Sequence, residues 1–366
     1  MQIRAAVARA PHAPLSVETL ELASPREDEI LVRVVATGVC HTDIVVRDQM
    51  LPVPLPVVLG HEGAGIVESV GARVTKVAPG DPVVMSYNSC GQCANCHAGA
   101  TSYCLDFPAR NFAAARADGS SALSLGGAVI HGNFFGQSSF ATFAIGHERN
   151  VVKVRRDAPL EKLGPLACGV QTGAGAAING LRVTLGASFA VFGCGTVGLS
   201  AILGARLIGA GAIFAIDLHE SRLALAREFG ATHTIRAGKE DAVNTILDAT
   251  RFGCNFALDT TGLPKVIRQA VDSLAPRGAC AVLGASPLGT EISLDLVHLM
   301  SGGRSVRGTV EGDSSPDVFI PRLIDFYLDG RFPFDRMLKF YTLDQINQAI
   351  ADSEAGTTIK PVIRIG

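Results

Sequence analysis

Short apolar runs rich in Val and Ile dominate the chain up to about residue 150. Examples are Glu29-Ile-Leu-Val-Arg-Val-Val35 and Asp81-Pro-Val-Val-Met85, and Pro and Gly separate such runs at short intervals. Apolar runs of this length bounded by turn residues are typical of β-strands. This part of the chain is therefore predicted to be a compact, mostly β, barrel-like unit.

From about Val183 to Val310 the pattern changes to short apolar strands that alternate with longer helical stretches. That alternation predicts a doubly wound parallel sheet covered by helices, an α/β fold. The tail from about Glu311 leaves this rhythm and is expected to return to the first domain. The predicted strands are Ser188–Phe192, Ala212–Asp217, Asn255–Asp259, Cys280–Leu283 and Ser305–Gly308, and the predicted helices include one ending near Ile208, Arg222–Phe229 and Pro264–Leu274.

Composition supports two globular domains and excludes several classes of partner. The chain has 366 residues, of which 48% are hydrophobic and 18% charged, with a formal net charge of −2. No Lys/Arg-rich run is present, so neither nucleic acid nor an anionic membrane surface is an expected partner. The opening MQIRAAVARAP lacks the basic and apolar regions of a secretory signal. We therefore expect a cytoplasmic protein with reduced thiols.

Four cysteines lie close together in the chain: Cys90, Cys93, Cys96 and Cys104. Four thiolates at such spacing can surround one zinc ion in a closed tetrahedron, which leaves no position for substrate. The four cysteines could instead form two disulfides or be small buried core residues. A reducing compartment disfavours disulfides. The spacing thus predicts a structural zinc lobe at about residues 88–106.

A glycine motif follows the predicted strand that ends at Phe192. Its glycines permit a tight turn, close approach to a diphosphate and close helix packing, while the helix N-terminus offers N–H groups to the phosphates. Asp217 ends the next strand, where it can accept hydrogen bonds from ribose hydroxyls and would repel a 2′-phosphate. NAD is therefore predicted over NADP, although Arg222 nearby could favour the extra phosphate. The predicted contacts of this motif are Gly193, Gly195, Thr196, Val197 and Gly198.

A second metal site is indicated by three separated residues: Cys40, His61 and Cys168. Three protein ligands with one open position characterise catalytic zinc. Each residue alone is ambiguous, because a single Cys is usually a core residue and a single His is usually an ordinary polar one.

The stretch Gly60-His61-Glu62-x-x-Gly65-x-x-x-x-x-Gly71-x-x-Val74 resembles the signature of zinc-containing medium-chain alcohol dehydrogenases. The resemblance spans essentially the whole chain, and 107–112 and 131–140 are most similar to bacterial aryl-alcohol dehydrogenases. It implies a GroES-like catalytic domain at 1–169 and 311–366 and a Rossmann NAD-binding domain at 170–310. It also implies two zinc ions per chain and a homo-oligomer.

The resemblance further implies roles for individual residues. Cys40, His61 and Cys168 would bind the catalytic zinc, Asp43 would orient His61, and Glu62 would lie behind the metal. Thr42 would contact the alcohol oxygen and Thr172 the nicotinamide. His41 and Lys360 would contact the cofactor phosphates. Many relatives have a histidine that ends the proton relay where this chain has Val45.

The implied reaction is reversible oxidation of a primary alcohol to an aldehyde with hydride transfer to NAD⁺. Leu51, Phe134 and Phe135 match residues that line the alcohol cleft, and aromatic rings there would favour a benzyl-type substrate. The two phenylalanines could instead be ordinary core residues. Dehydrogenases of aliphatic, terpenoid or polyol alcohols stay open as alternatives, as does a non-enzymatic zinc-binding interaction protein.

Overall fold

The computed structural model describes residues 1–365, which divide into two compact units. The first contains Met1–Cys168, Ser315–Leu328 and the chain from Asp335 onward, and the second contains Gly169–Ser314 and Asp329–Phe334. These limits resemble the predicted domains, except that 311–314 and 329–334 belong to the second unit. The assignment of the units as catalytic and NAD-binding domains stays a prediction.

Residues 1–365 contain eighteen strands and eleven α-helices, together with short 3-10 turns. The strands are β1 Gln2–Ala8, β2 Ser16–Leu22, β3 Glu29–Gly38, β4 Val57–Val58, β5 Gly63–Val70, β6 Pro82–Met85, β7 Leu123–Leu125, β8 Ala128–Ile130, β9 Phe143–His147, β10 Val151–Lys153, β11 Ser188–Phe192, β12 Ala212–Asp217, β13 His233–Arg236, β14 Cys254–Asp259, β15 Leu274–Val282, β16 Ser305–Gly308, β17 Leu338–Thr342 and β18 Lys360–Arg364. The helices are α1 His41–Arg47, α2 Ala94–His97, α3 Phe107–Asn111, α4 Gly169–Gly175, α5 Thr196–Leu207, α6 Glu220–Phe229, α7 Ala242–Thr250, α8 Pro264–Asp272, α9 Leu296–Gly302, α10 Pro316–Leu328 and α11 Ile346–Glu354.

The first unit is built from two sheets, as its short Val-rich runs predict. One has the order β4-β1-β2-β7-β8, and the other has the order β10-β6-β5-β3-β18-β17 with β9 also paired to β3. Strand β3 shows the two-residue period of a strand between two cores: Ile30, Val32 and Val34 face one core, and Leu31 faces the other. The C-terminal strand β18 lies between β3 and β17, so the tail returns to this unit.

The second unit is a six-stranded parallel sheet with the order β13-β12-β11-β14-β15-β16. Its core contains Phe192, Phe214 and Ile235, which are all nearly or fully buried. The strand order reverses between β11 and β14, and such a reversal opens a crevice at the carboxyl edge of the sheet. The predicted α/β fold with a mostly β companion unit is confirmed. Strand β15 begins at Leu274, earlier than predicted, because it continues along β14 past an irregularity near Cys254.

Within residues 1–365, every helix is too short or too polar to cross a membrane.

Candidate metal centres and dinucleotide site

Helix α1 places the first metal-ligand candidate. Cys40 is the residue before the helix, and Asp43 in the first turn accepts a hydrogen bond from the Cys40 backbone N–H at 3.0 Å. A carboxylate at this position also interacts favourably with the positive end of the helix. The Thr42 hydroxyl lies 3.8 Å from the Cys40 sulfur. The start of one short helix therefore fixes the thiol, a carboxylate and a hydroxyl together.

His61 is held from both sides. Its Nδ1 lies 2.9 Å from an Asp43 carboxylate oxygen, and the buried Gln137 donates to the His61 carbonyl at 2.9 Å. Gly60 precedes it with φ of 91°, and a side chain there would collide with Phe140. Gln137 was not among the predicted site residues, and in the sequence only its place within the 131–140 stretch points to it.

The predicted catalytic zinc ligands meet in one cluster. Ligand atoms of Cys40, His61, Glu62 and Cys168 all lie within 4.8 Å of one another. His61 Nε2 is buried and has no hydrogen-bond partner among residues 1–365, which fits a nitrogen directed at a metal. Hydrogen bonding with Cys168 and the positive charges of His61 and Lys360 lower the pKa of the Cys40 thiol well below its ordinary range, although burial opposes this shift. This donor set of two thiolates and an imidazole suits zinc.

Lys360 is buried beside the metal cluster and pairs with Glu62. Its side chain is 2% exposed, and its Nζ lies 2.6 Å from the Glu62 carboxylate and 3.0 Å from the Val39 carbonyl oxygen. Strand β18 buries this ammonium beside the metal cluster, and the predicted contact with a cofactor phosphate stays a prediction. Burial raises the pKa of Glu62 above its ordinary value, and the Lys360 ammonium opposes that shift and favours the carboxylate.

Phe134 and Phe135 belong to the core. They are 0% and 4% exposed, and the Phe135 ring stacks on His61 with ring centroids 4.6 Å apart. Phe107 and Phe112 pack edge-on against Phe135. The structure thus supports the core alternative for both predicted pocket residues, and their contact is with the imidazole. Leu51 is half-buried and packs against the same core.

The four-thiol lobe also comes together as predicted. The sulfur atoms of its cysteines lie within 4.8 Å of one another. Backbone N–H groups of Gln92 and Cys93 donate to the Cys90 sulfur at 3.4 and 3.3 Å, and Cys90 N–H donates to Cys104 at 3.2 Å. Backbone donors from Leu105 and Cys96 lower the pKa of Cys93 to about 6. The Cys90 and Cys93 sulfurs, whose pKa values these backbone donors lower, are suited to the thiolate form that zinc requires.

The glycine motif forms the turn between β11 and α5. Gly193 has φ of 95°, and a side chain on Gly198 would collide with the Gly193 carbonyl, so both positions need glycine. A Cβ on Gly195 would point into open space, and Thr196 and Val197 begin α5. The turn therefore leaves room beside a helix N-terminus, as a bound diphosphate requires.

A cavity of about 760 Å³ lies at the carboxyl edge of the second unit, beside Gly193, Gly195 and Asp217. The Asp217 carboxylate accepts hydrogen bonds from Cys194 N–H at 2.7 Å and His219 N–H at 2.8 Å. Arg222 lines the same cavity, 3.7 Å from that carboxylate. The Asp217 carboxylate is fixed beside a turn that has room for a diphosphate, and this arrangement fits the ribose and diphosphate of the predicted dinucleotide.

The remaining predicted residues lie in helices α1 and α4. His41 is exposed at the first position of α1, and Val45 is buried in the same helix. Thr172 lies in α4 and is 9% exposed. Their cofactor and relay roles stay predictions.

Comparison with known proteins agrees with these sites. Residues 26–156 match the family described as alcohol dehydrogenase GroES-like domain, and residues 196–328 match zinc-binding dehydrogenase. A geraniol dehydrogenase from Castellaniella defragrans is 49% identical over 98% of this chain and 97% of its own length.

Two solved structures are similar over the full length. A benzyl alcohol dehydrogenase from Acinetobacter calcoaceticus has 50% identity and a TM-score of 0.98, with all of both chains covered. An alcohol dehydrogenase zinc-binding domain protein from Burkholderia ambifaria has 54% identity and a TM-score of 0.99, covering 100% of this chain and 99% of its own.

The family predicted from the sequence is confirmed, and its zinc requirement agrees with both thiol clusters. The cavity beside the glycine turn agrees with a nicotinamide dinucleotide cofactor. This chain belongs to the zinc-dependent medium-chain alcohol dehydrogenases.

Proposed function

We propose that this alcohol dehydrogenase uses NAD and oxidises primary aromatic alcohols of the benzyl type reversibly to aldehydes. The observation that carries the proposal is the cluster of Cys40, His61 and Cys168, whose ligand atoms lie within 4.8 Å of one another. Bound zinc would supply the Lewis acidity that lowers the pKa of an alcohol hydroxyl.

The residues around the cluster have distinct roles in this proposal. Asp43 holds the His61 ring through Nδ1, which leaves Nε2 for the metal. Thr42 is half-buried beside Cys40 and is the hydroxyl that takes the proton from the substrate. Val45 is 6% exposed and cannot carry that proton further, so water or a cofactor hydroxyl has to do so.

The choice of NAD over NADP is supported by Asp217. Its carboxylate is held rigidly by two backbone N–H groups, so it cannot turn away from an added 2′-phosphate. Two exposed leucines, Leu218 at 63% and Leu263 at 57%, line the same cavity and offer apolar surface to an adenine ring.

A second substrate class has specific support. The geraniol dehydrogenase relative and the benzyl alcohol dehydrogenase structure have nearly equal identities of 49% and 50%. Geraniol and benzyl alcohol share one chemical feature, an unsaturated carbon next to the carbinol carbon. Their aldehydes are conjugated in both cases. Allylic terpenoid alcohols are therefore the second candidate.

The test measures NAD⁺ reduction at 340 nm with matched pairs of alcohols, together with zinc per chain. Benzyl alcohol is compared with cyclohexylmethanol, and geraniol with citronellol, so that each pair differs in unsaturation beside the carbinol. We expect two zinc ions per chain and at least about tenfold higher kcat/KM for each unsaturated member, with benzyl alcohol best. Equal values within both pairs would contradict the substrate proposal. One zinc ion and no turnover would support a non-enzymatic zinc protein.

We also propose a cytoplasmic homo-oligomer. Helix α9 has no buried residue, and its Leu296, Val297 and Met300 are 77%, 65% and 77% exposed. Apolar side chains grouped on one short helix favour a protein contact. Sedimentation analysis should show a dimer or tetramer, and Met300→Glu should shift the protein towards monomer.

A further inference from the structure

A strained turn follows the last strand of the parallel sheet. Glu311, Gly312 and Asp313 have φ values of 51°, 65° and 50°, three consecutive residues in the left-handed region. Two of them have side chains that disfavour this conformation, so the surrounding structure has to maintain it. Arg307 pairs with Asp313 at 2.5 Å, and a Cβ on Gly312 would come within 2.7 Å of the Thr172 carbonyl oxygen. The turn is therefore pressed against helix α4.

The strained backbone holds a buried carboxylate. Glu311 is 7% exposed, and one of its carboxylate oxygens accepts hydrogen bonds from Thr172 Oγ1 at 3.3 Å and from Gln171 Nε2 at 3.2 Å. Both donors are themselves at least nine-tenths buried. Because the Thr172 hydroxyl has one proton and donates it to Glu311, the hydroxyl offers only lone pairs to any other group.

The position of this cluster relates it to the dinucleotide site. Glu311 comes three residues after β16, at the carboxyl edge of the sheet. A Cβ on Gly173, next to Thr172, would collide with the carbonyl of Val197 in the first turn of α5. Thr172 therefore lies beside the helix start that faces the diphosphate, near the end of β16. Asp217 is the last residue of β12, on the opposite side of β11.

A dinucleotide that spans this edge would have its adenosine on the β12 side and its nicotinamide on the β14 to β16 side. We propose that Glu311 is a positioning residue that selects the carboxamide form of the nicotinamide. Glu311 accepts the Thr172 hydroxyl proton, so the Thr172 oxygen can only accept a hydrogen bond from a carboxamide N–H. The Glu311 carboxylate also repels a pyridine ring that bears a carboxylate in place of the carboxamide. The proposal rests on the dinucleotide site proposed above.

The test is calorimetric binding of three ligands to the zinc-loaded protein. NAD⁺ carries the carboxamide, deamido-NAD⁺ carries a carboxylate in its place, and ADP-ribose lacks the nicotinamide ring. The wild-type protein should bind NAD⁺ at least about tenfold more tightly than deamido-NAD⁺. Glu311→Gln should reduce that ratio about tenfold, because an amide can donate as well as accept and carries no charge. Glu291→Gln, at an exposed acidic residue of the same unit, should leave the ratio unchanged.

ADP-ribose separates the possible failures. Its affinity should change less than about twofold in Glu311→Gln, because the adenosine half contacts the other side of the sheet edge. Equal losses for all three ligands would show a merely structural role and overturn the proposal, as would an unchanged ratio of NAD⁺ to deamido-NAD⁺. A wild-type protein that binds neither NAD⁺ nor ADP-ribose would refute the proposed function itself.

If the Glu311→Gln protein does not fold, a second variant tests the same proposal. Thr172→Val keeps the carboxylate and removes the hydroxyl, so NAD⁺ binding should weaken about fivefold while ADP-ribose binding stays the same. Thr172→Ser should restore NAD⁺ binding. Unchanged NAD⁺ affinity in Thr172→Val would overturn the proposal.

Discussion

Replacement of Lys360 by methionine should destabilise the first unit by about 3 to 5 kcal/mol, the usual cost of removing one member of a buried ion pair. Lys360 and Glu62 have side chains only 2% and 0% exposed, and their charged atoms lie 2.6 Å apart. Methionine has a similar length but offers no donor to the Glu62 carboxylate or to the Val39 carbonyl. For a unit of this size each kcal/mol lowers the melting temperature by about 2 to 4 °C, so the expected decrease is roughly 6 to 20 °C.

The assay is thermal unfolding followed by circular dichroism, with zinc content measured for each variant. Lys339→Met is the matched control, since Lys339 is 55% exposed and also pairs with a carboxylate, that of Asp352 at 2.9 Å. That change should have little effect, because exposed pairs contribute little. The double variant Glu62→Gln/Lys360→Met should recover most of the lost stability, because it leaves no unpaired buried charge. A Lys360→Met protein that melts within about 2 °C of wild type would refute this reasoning.

Three further predictions concern the metal sites and the response to pH. Asp43→Asn should weaken zinc binding at the cluster about 10- to 100-fold in chelator competition, because the His61 ring loses its orienting carboxylate; unchanged affinity would contradict this. Cys93→Ser should reduce zinc from two ions to one per chain and lower the melting temperature, with the hydride-transfer rate of folded protein retained. Asp81→Asn should lower stability at pH 7. Lys153 lowers the pKa of Asp81 in the folded state, so this contribution is fully present above the unfolded pKa of about 4 and is lost as pH falls through the lower folded-state pKa; a gap between variant and wild type in urea unfolding that does not narrow as pH falls below about 4 would argue against it.

The sequence predicted those parts of the site that depend on local spacing. Four cysteines within one short loop are necessarily close together in space. A glycine turn between a strand and a helix has a nearly unique geometry. Both clusters of metal ligands and the turn at Gly193 are therefore found as predicted. Asp43 also follows from local structure, because it caps the helix that begins just after Cys40.

Local spacing could not predict the surroundings of residues that depend on distant strand pairing. Lys360 begins β18, and the insertion of β18 between β3 and β17 decides whether its side chain meets solvent or Glu62. The contact between Lys360 and Glu62 joins residues about 300 positions apart, so no local sequence pattern predicts it. Phe135 has φ of 52°, uncommon for an aromatic residue, and this conformation turns its ring onto His61. Apolar character alone could not separate core from pocket at that position.

The burial of Lys360 also changes the charge balance at the metal cluster. Two thiolates from Cys40 and Cys168 would balance the charge of one Zn²⁺ ion, whereas the nearby Glu62 carboxylate would add a negative charge within the same 4.8 Å cluster. A net negative surrounding would oppose the loss of a proton from an alcohol. The Lys360 ammonium balances this added charge through its ion pair with Glu62. The Glu62 carboxylate raises the pKa of Lys360 although burial opposes that shift, so the ammonium stays charged. The lysine therefore influences the charge at the metal site through its ion pair with Glu62.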